Sequence, residues 1–221
     1  MMTYLPCLEI EPKEKATASV IWLHGLGADG NDFAPIIPDL KLPDDLAVRF
    51  IFPHAPTMPV TINNGYVMPA WYDILEMSID REVDVKQLMI SADAIAALID
   101  REIERGVDSQ RIIITGFSQG GAVAYQCALT YDKPLAGILA LSTYFATKNE
   151  IQPSSSNAQT PILIGHGTAD PVVPEQLGSM AVAKLKEMGY LVEYKTYSME
   201  HSVCMEEISD IGQWMTALLT H

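Results

Sequence analysis

The run Arg111-Ile-Ile-Ile-Thr-Gly-Phe-Ser-Gln-Gly-Gly-Ala122 limits the folds open to this chain more than any other stretch. Residues of high β propensity lead straight into Gly116-Phe117-Ser118-Gln119-Gly120, and the small residues Gly121, Ala122 and Ala124 then open a helix. A serine at the apex of such a strand-to-helix turn is held in a strained backbone conformation. Only small neighbours two positions to either side let strand and helix approach so closely, and Gly116 and Gly120 meet that need. A serine that merely capped a helix would require no partners further along the chain; here there are partners.

The same alternation extends in both directions. Residues 4–10 and 19–24 predict the first strands. The second of these is continuously apolar (Val20-Ile21-Trp22-Leu23), as expected of a strand buried on both faces, and 48–52, 135–142 and 161–166 read alike. Residues 191–197 alternate apolar and polar and predict the last strand. Between them, Leu88, Ala92, Ile95, Leu98, Ile99 and Ile103 recur near the helical period over 85–105, which Gly106 closes. Residues 174–188 predict a helix ended by Gly189, and Ile208, Ile211, Trp214, Met215 and Leu218 line one face of a closing helix. Asn31 or Asp32 is expected to cap a further helix near Phe33, kept short by Pro35 and Pro38. The polar connection 143–160 is too short for a cap domain. This pattern predicts an α/β class, with a mostly parallel central sheet and helices on both faces, as one domain over residues 1–221. In such folds reacting groups gather at the carboxyl ends of strands.

Residues 53–84 show neither period and are punctuated by Pro53, Pro56, Pro59, Gly65 and Pro69. A loop of that length is uncommon in a compact domain and is usually functional. It is also apolar, through Met58, Val60, Ile62, Tyr66, Val67, Met68, Trp71 and Tyr72, so it needs either the core or a ligand to cover it. The expectation is a mobile wall beside a bound apolar chain, with Asn63-Asn64-Gly65 as hinge and Trp71 as its flat surface.

Composition narrows the partners. A formal charge of −14 argues against nucleic acid and against electrostatic adsorption to anionic lipid. No apolar run approaches the length of a membrane-spanning helix, so a membrane contact could only be local and apolar; a homodimer is compatible with everything here. The N-terminal stretch has no basic segment, and Glu9 and Glu11 interrupt any hydrophobic one. Cys7, Cys127 and Cys204 are scattered, without metal-site spacing, which suits a reduced, cytoplasmic setting.

Two later strand ends supply the partners of Ser118. Gly165-His166-Gly167-Thr168-Ala169-Asp170-Pro171 follows one, and Met199-Glu200-His201-Ser202 follows the next. A neutral hydroxyl needs an imidazole to take its proton, and the imidazole needs a carboxylate to fix its tautomer, so Ser118, Asp170 and His201 form the candidate catalytic set. Their chain order is that of α/β-hydrolase triads. The chemistry calls for no cofactor and no metal. The amides of Gln119 and, in the glycine-rich loop after residue 24, Leu26 are the expected oxyanion donors. His24 and His166, in glycine-flanked strand ends, are expected to tie down turns, and His54 and the terminal His221 carry less. Asp29, Asp73 and Asp132 read as capping or solvated carboxylates, and Cys204 as a packed thiol.

Taken together, His24-Gly25-Leu26-Gly27, Met68-Pro69-Ala70-Trp71-Tyr72-Asp73, Gly116-Phe117-Ser118-Gln119-Gly120-Gly121, His166-Gly167 with Asp170-Pro171-Val172-Val173-Pro174, and His201-Ser202 resemble the acyl-protein thioesterase and small carboxylesterase group of α/β-hydrolases. The resemblance covers nearly the whole chain. It implies the α/β-hydrolase fold, the triad and oxyanion residues just named, and an acyl pocket bordered by the segment containing Met68, Trp71 and Tyr72. Glu200 departs from the family, which commonly has glycine or a neutral residue before the histidine. The implied activity is hydrolysis of carboxylic esters or acyl thioesters through an acyl-enzyme. A lysophospholipase or an acyltransferase on the same site, or a non-catalytic acyl-chain carrier, are the rivals.

Overall fold

The computed structural model describes residues 4–78 and 81–220. Residues 1–3, which open the stretch read above for a leader, residues 79–80 of the 53–84 segment, and His221 lie outside the described residues. In chain order the elements are β1 (Cys7–Ile10), β2 (Ala18–Leu23), β3 (Val48–Pro53), β4 (Thr57–Val60), β5 (Tyr66–Pro69), β6 (Ile74–Glu76), β7 (Glu82–Val83), α1 (Val85–Glu104), β8 (Ile112–Phe117), α2 (Gln119–Thr130), β9 (Gly137–Leu141), β10 (Ile162–Gly167), α3 (Glu175–Glu187), β11 (Val192–Tyr197) and α4 (Met205–Leu219).

Seven strands form the central sheet in the order β1-β3-β2-β8-β9-β10-β11. All pairs are parallel except β1 with β3, where Leu8 faces Phe52. The continuous apolar runs fall on the inner strands because both faces are covered. On β2, Ile21 and Leu23 point to the side packed by α1, α2 and α3, and Val20 and Trp22 to the side packed by α4. The apolar stripe of α1 is buried as its period requires, with Ile95, Leu98 and Ile99 fully enclosed. Each such side chain contributes roughly 1.5–3 kcal/mol relative to exposure. Asp84 starts that helix by accepting from the Gln87 amide at 3.0 Å, and Gly106 stops it at φ 96°.

Two expectations need correction. The stretch after Phe33 is a 3-10 helix, Ala34–Leu40, with no hydrogen bond from its N-cap side chain; Pro38 lacks the N–H that an α-helix would direct to the Ala34 carbonyl. Residues 53–84 are not patternless: β4 pairs with β5 and β6 with β7 as two small antiparallel hairpins. Both lie outside the main sheet and are exposed along much of their length, so no buried face imprints a period-two pattern on them.

The sheet order reverses between β2 and β8. β3 lies on one side of β2 and β8 on the other, so the loops leaving Leu23 and Phe117 part company and open a crevice at their carboxyl ends.

Candidate active site

Ser118 sits at the reversal, between β8 and α2, with φ 54° and ψ −119°. A non-glycine residue there carries about 1–3 kcal/mol of strain, which persists only where the surroundings enforce it. They do. A Cβ on Gly116 would lie 2.3 Å from the Gly120 carbonyl oxygen, and one on Gly120 would lie 2.6 Å from that of His24. Three backbone segments therefore meet with no side chain between them, and the serine projects into a cavity of about 360 Å³.

The structure brings Ser118, His201 and Asp170 together from three strand ends. His201 Nε2 is 3.0 Å from Ser118 Oγ, and His201 Nδ1 is 2.6 Å from Asp170 Oδ2. An ionised carboxylate only accepts, so Nδ1 carries the hydrogen and Nε2 turns its lone pair to the serine hydroxyl. The Phe117 ring lies 4.8 Å from the imidazole, centroid to centroid. Asp170 is buried, and its Oδ1 accepts from the amides of Val172 at 2.9 Å and Val173 at 2.8 Å. Glu200 is exposed and, among the described residues, makes no ion pair with His201; its backbone turns the chain instead, accepting from the Ser202 amide.

His24 and His166, in their glycine-flanked strand ends, are tied into turns by hydrogen bonds. His166 is fully enclosed, and its Nε2 donates to the Val173 carbonyl at 2.8 Å, fixing the turn whose amides hold Asp170. Burial lowers its pKa, so it stays neutral. Gly178 leaves room for the ring; a Cβ there would be 2.4 Å from His166 Nδ1. His24 is likewise lowered by burial, with Nδ1 donating to the Gly25 carbonyl at 2.7 Å and Nε2 accepting from the Ala55 amide at 3.1 Å. His54 Nδ1 accepts from the Gly30 amide at 3.1 Å. Asp29 accepts from the Asn31 amide and Asp73 from the Thr61 amide, each fastening a loop.

Leu26 and Gln119 both line the cavity beside Ser118. The Gln119 amide is at the first position of α2 and has no intrahelical acceptor. The Gln119 side chain has a role that its place in the motif did not reveal: Oε1 accepts from the Trp71 amide at 2.8 Å, and Nε2 donates to the Tyr72 carbonyl at 2.6 Å.

This clamp overturns the expectation for Trp71 and Tyr72. Both are fully buried and neither lines the cavity. Trp71 Nε1 donates to the His24 carbonyl at 2.9 Å, and the Tyr72 hydroxyl pairs with that of Tyr144 at 2.7 Å. They brace the two loops that meet at Ser118. Met68 also stands outside the cavity lining, its sulfur facing Gly27 and accepting from Asn63 Nδ2 at 3.4 Å. The 53–84 segment does wall the cavity, but through Ile62, Asn63, Ile74, Met77 and Arg81. Val172 and Tyr144 complete that side. Sequence reasoning missed Arg81, because a single cation in an aperiodic stretch defaults to solvent.

Comparison with known proteins fits this geometry. Residues 6–219 match the model of the Phospholipase/Carboxylesterase family. The chain belongs to that family. It is 41% identical to acyl-protein thioesterase 1 of Neurospora crassa, over 97% of this chain and 92% of that protein. It is 38% identical to acyl-protein thioesterase 1 of Cryptococcus neoformans var. neoformans, over 99% and 100%. Among solved structures, Arabidopsis thaliana SOBER1 superposes with a TM-score of 0.85 at 34% identity, covering 91% of this chain and 99% of that one. Zea mays acyl-protein thioesterase 2 gives 0.85 at 31%, covering 98% and 100%. The fold is thus that of the α/β-hydrolases, and the protein is a hydrolase. None of its described helices is long and apolar enough to cross a membrane.

Proposed function

We propose that the protein cleaves carboxylic esters or acyl thioesters through a covalent intermediate on Ser118, with His201 and Asp170 completing a triad. The observation that carries this reading is the unbroken line of hydrogen bonds from Ser118 Oγ through His201 to Asp170, 3.0 and 2.6 Å long, ending in the cavity. Two of its relatives are named acyl-protein thioesterases, which favours acyl thioesters among the substrates.

In the first half-reaction Ser118 Oγ bonds to the acyl carbon as its proton passes to His201 Nε2. Charge collects on the former carbonyl oxygen, which the Leu26 and Gln119 amides receive as donors already in place. The intermediate collapses by breaking the bond to sulfur or oxygen, and the imidazolium returns the proton to the departing thiol or alcohol. Water then attacks the acyl-enzyme, His201 takes its proton, and the carboxylic acid leaves with Ser118 reprotonated. Asp170 keeps the imidazole in the required tautomer and steadies its charged form, and the Val172 and Val173 amides keep Asp170 in position.

The test is labelling with a fluorophosphonate, which phosphonylates only an activated serine, followed by peptide mapping. The label is expected on Ser118 and absent from Ser118→Ala, which loses turnover by about a millionfold while its circular dichroism is unchanged. Label on another residue, or an active Ser118→Ala, overturns the reading.

A further inference from the structure

The cavity at Ser118 holds a guanidinium that, among the described residues, no carboxylate pairs with. Arg81 lies between Met77 and Val172 in the cavity wall. Its Nη2 donates to the Val172 carbonyl, Nη1 meets Met77 Sδ at 3.1 Å, and Cζ stands 4.9 Å from the centre of the Tyr144 ring. Nε is shut away from solvent and has no partner among the described residues. A guanidinium offers five N–H donors and a thioether accepts weakly, so the Val172 carbonyl and the nearby Tyr144 hydroxyl, both neutral, are the oxygen acceptors it meets.

Three other arginines are held by carboxylates instead. Arg49, Arg101 and Arg105 share Glu9, Glu11 and Glu102 at distances between 2.6 and 3.5 Å. Among the described residues no carboxylate lies within ion-pair distance of Arg81, in a chain with 28 acidic and 14 basic side chains. A buried donor left unsatisfied is unfavourable, and a ligand that brings its own acceptors removes the penalty. The group is also preorganised, held by the Val172 carbonyl on one side and the Tyr144 ring on another, so little freedom is lost when a ligand binds it. The acidic side chain in the cavity wall is Asp32, which lines it together with Leu26 and Ala28. Opposite signs in one wall give a substrate a preferred direction.

We propose that Arg81 is a specificity-determining residue that receives an anionic oxygen group carried by the substrate, so that the site favours esters or thioesters bearing a second, negatively charged group over neutral ones of equal size. A carboxylate or a phosphate presents the paired oxygens that a guanidinium edge recognises. This selectivity rests on the esterase reading of Ser118 given above.

The experiment compares wild type, Arg81→Met and Arg81→Lys on two matched pairs. One pair carries the charge on the acyl part, a glutaryl against a pentanoyl thioester of the same thiol. The other carries it on the leaving part, the acetate ester of 3-hydroxybenzoate against phenyl acetate. In at least one pair, the ratio of kcat/KM for the charged to the neutral member is expected to fall by about 10- to 100-fold in Arg81→Met, mainly through KM, with partial recovery in Arg81→Lys. The pair that responds identifies the end of the substrate that Arg81 reads. A ratio that stays within about twofold of wild type in both pairs overturns the proposal. Failure of wild type to turn over any of the four substrates would instead count against the esterase reading. The Arg81 proposal is then decided by calorimetric titration of monomethyl glutarate onto wild type and Arg81→Met. Binding weakened in the variant supports it, and equal binding or none to either protein refutes it. Thermal melts of both variants separate a lost contact from a lost fold.

Discussion

Glu207, on the first turn of α4, should make the stability of this protein depend on pH in a way that one isosteric substitution removes. Its side chain is about 1% exposed, and among the described residues neither carboxyl oxygen has a hydrogen-bond partner. It is pressed against β10 so closely that a Cβ on Gly165 would lie 2.1 Å from Oε1. Burial, and secondarily the nearby Asp210, push its pKa from 4.5 up to about 8. The folded protein therefore keeps a proton that the unfolded chain releases. Stability is fully present below the unfolded value of 4.5 and declines as pH rises, until the folded value near 8 is passed. Each pH unit in that window costs about 1.4 kcal/mol, so the whole window is worth roughly 5 kcal/mol. Glu207→Gln keeps the shape and cannot ionise. Urea unfolding of both proteins across about pH 5 to pH 8 gives the difference in unfolding free energy at each pH. That subtraction cancels the pH-independent effect of the amide and the shared contributions of His24, His166 and Glu11. The variant is expected to gain on wild type by several kcal/mol between the two ends. A difference that is flat with pH would show that Glu207 is ionised in the folded state and that the reasoning from burial is wrong.

Asp170→Asn should retain the fold and lose about four orders of magnitude in kcat, because an amide facing His201 Nδ1 favours the wrong tautomer; a loss of about tenfold or less would assign the orienting role elsewhere. Trp71→Ala should lower stability by about 3–5 kcal/mol as a buried-aromatic truncation. Since Trp71 does not touch the cavity, kcat/KM should fall by the same factor for short and long acyl esters, and a change in the chain-length ratio would restore it to the cavity wall.

The parts of this molecule legible in the sequence are those where one physical requirement acts on consecutive residues. Strands buried on both faces must be apolar throughout, so β2, β3, β9 and β10 can be read directly, and α1 shows its period because one side of it is covered. The turn at Ser118 is legible because three backbone segments touch there, and Gly116 and Gly120 permit it. The hairpins of residues 57–83 are not, because they stand outside the main sheet and no core face selects their side chains. Trp71 misled for a related reason: a large aromatic in an aperiodic segment satisfies a ligand wall and a core equally well, and the choice depends on a contact with Gln119, 48 residues away. Glu207 and Arg81 belong to the same class, charged side chains whose burial is decided by distant backbone.

Gln119 joins two jobs that an engineer would prefer to keep apart. Its backbone amide is one of the proposed oxyanion donors, while its side-chain amide grips Trp71 and Tyr72, two residues before the cavity-lining Ile74. A chain too bulky for the cavity that pushes on this wall pushes through a short rigid lever on the donor that must meet the developing charge, where displacements of an ångström are costly. Capacity and turnover are thus mechanically geared together. Widening the cavity by remodelling residues 70–74 will cost speed on every substrate unless the Gln119 grip is rebuilt with it, whereas changes at Ile62 or Met77, farther along the wall from that grip, can alter what fits and leave the gear untouched.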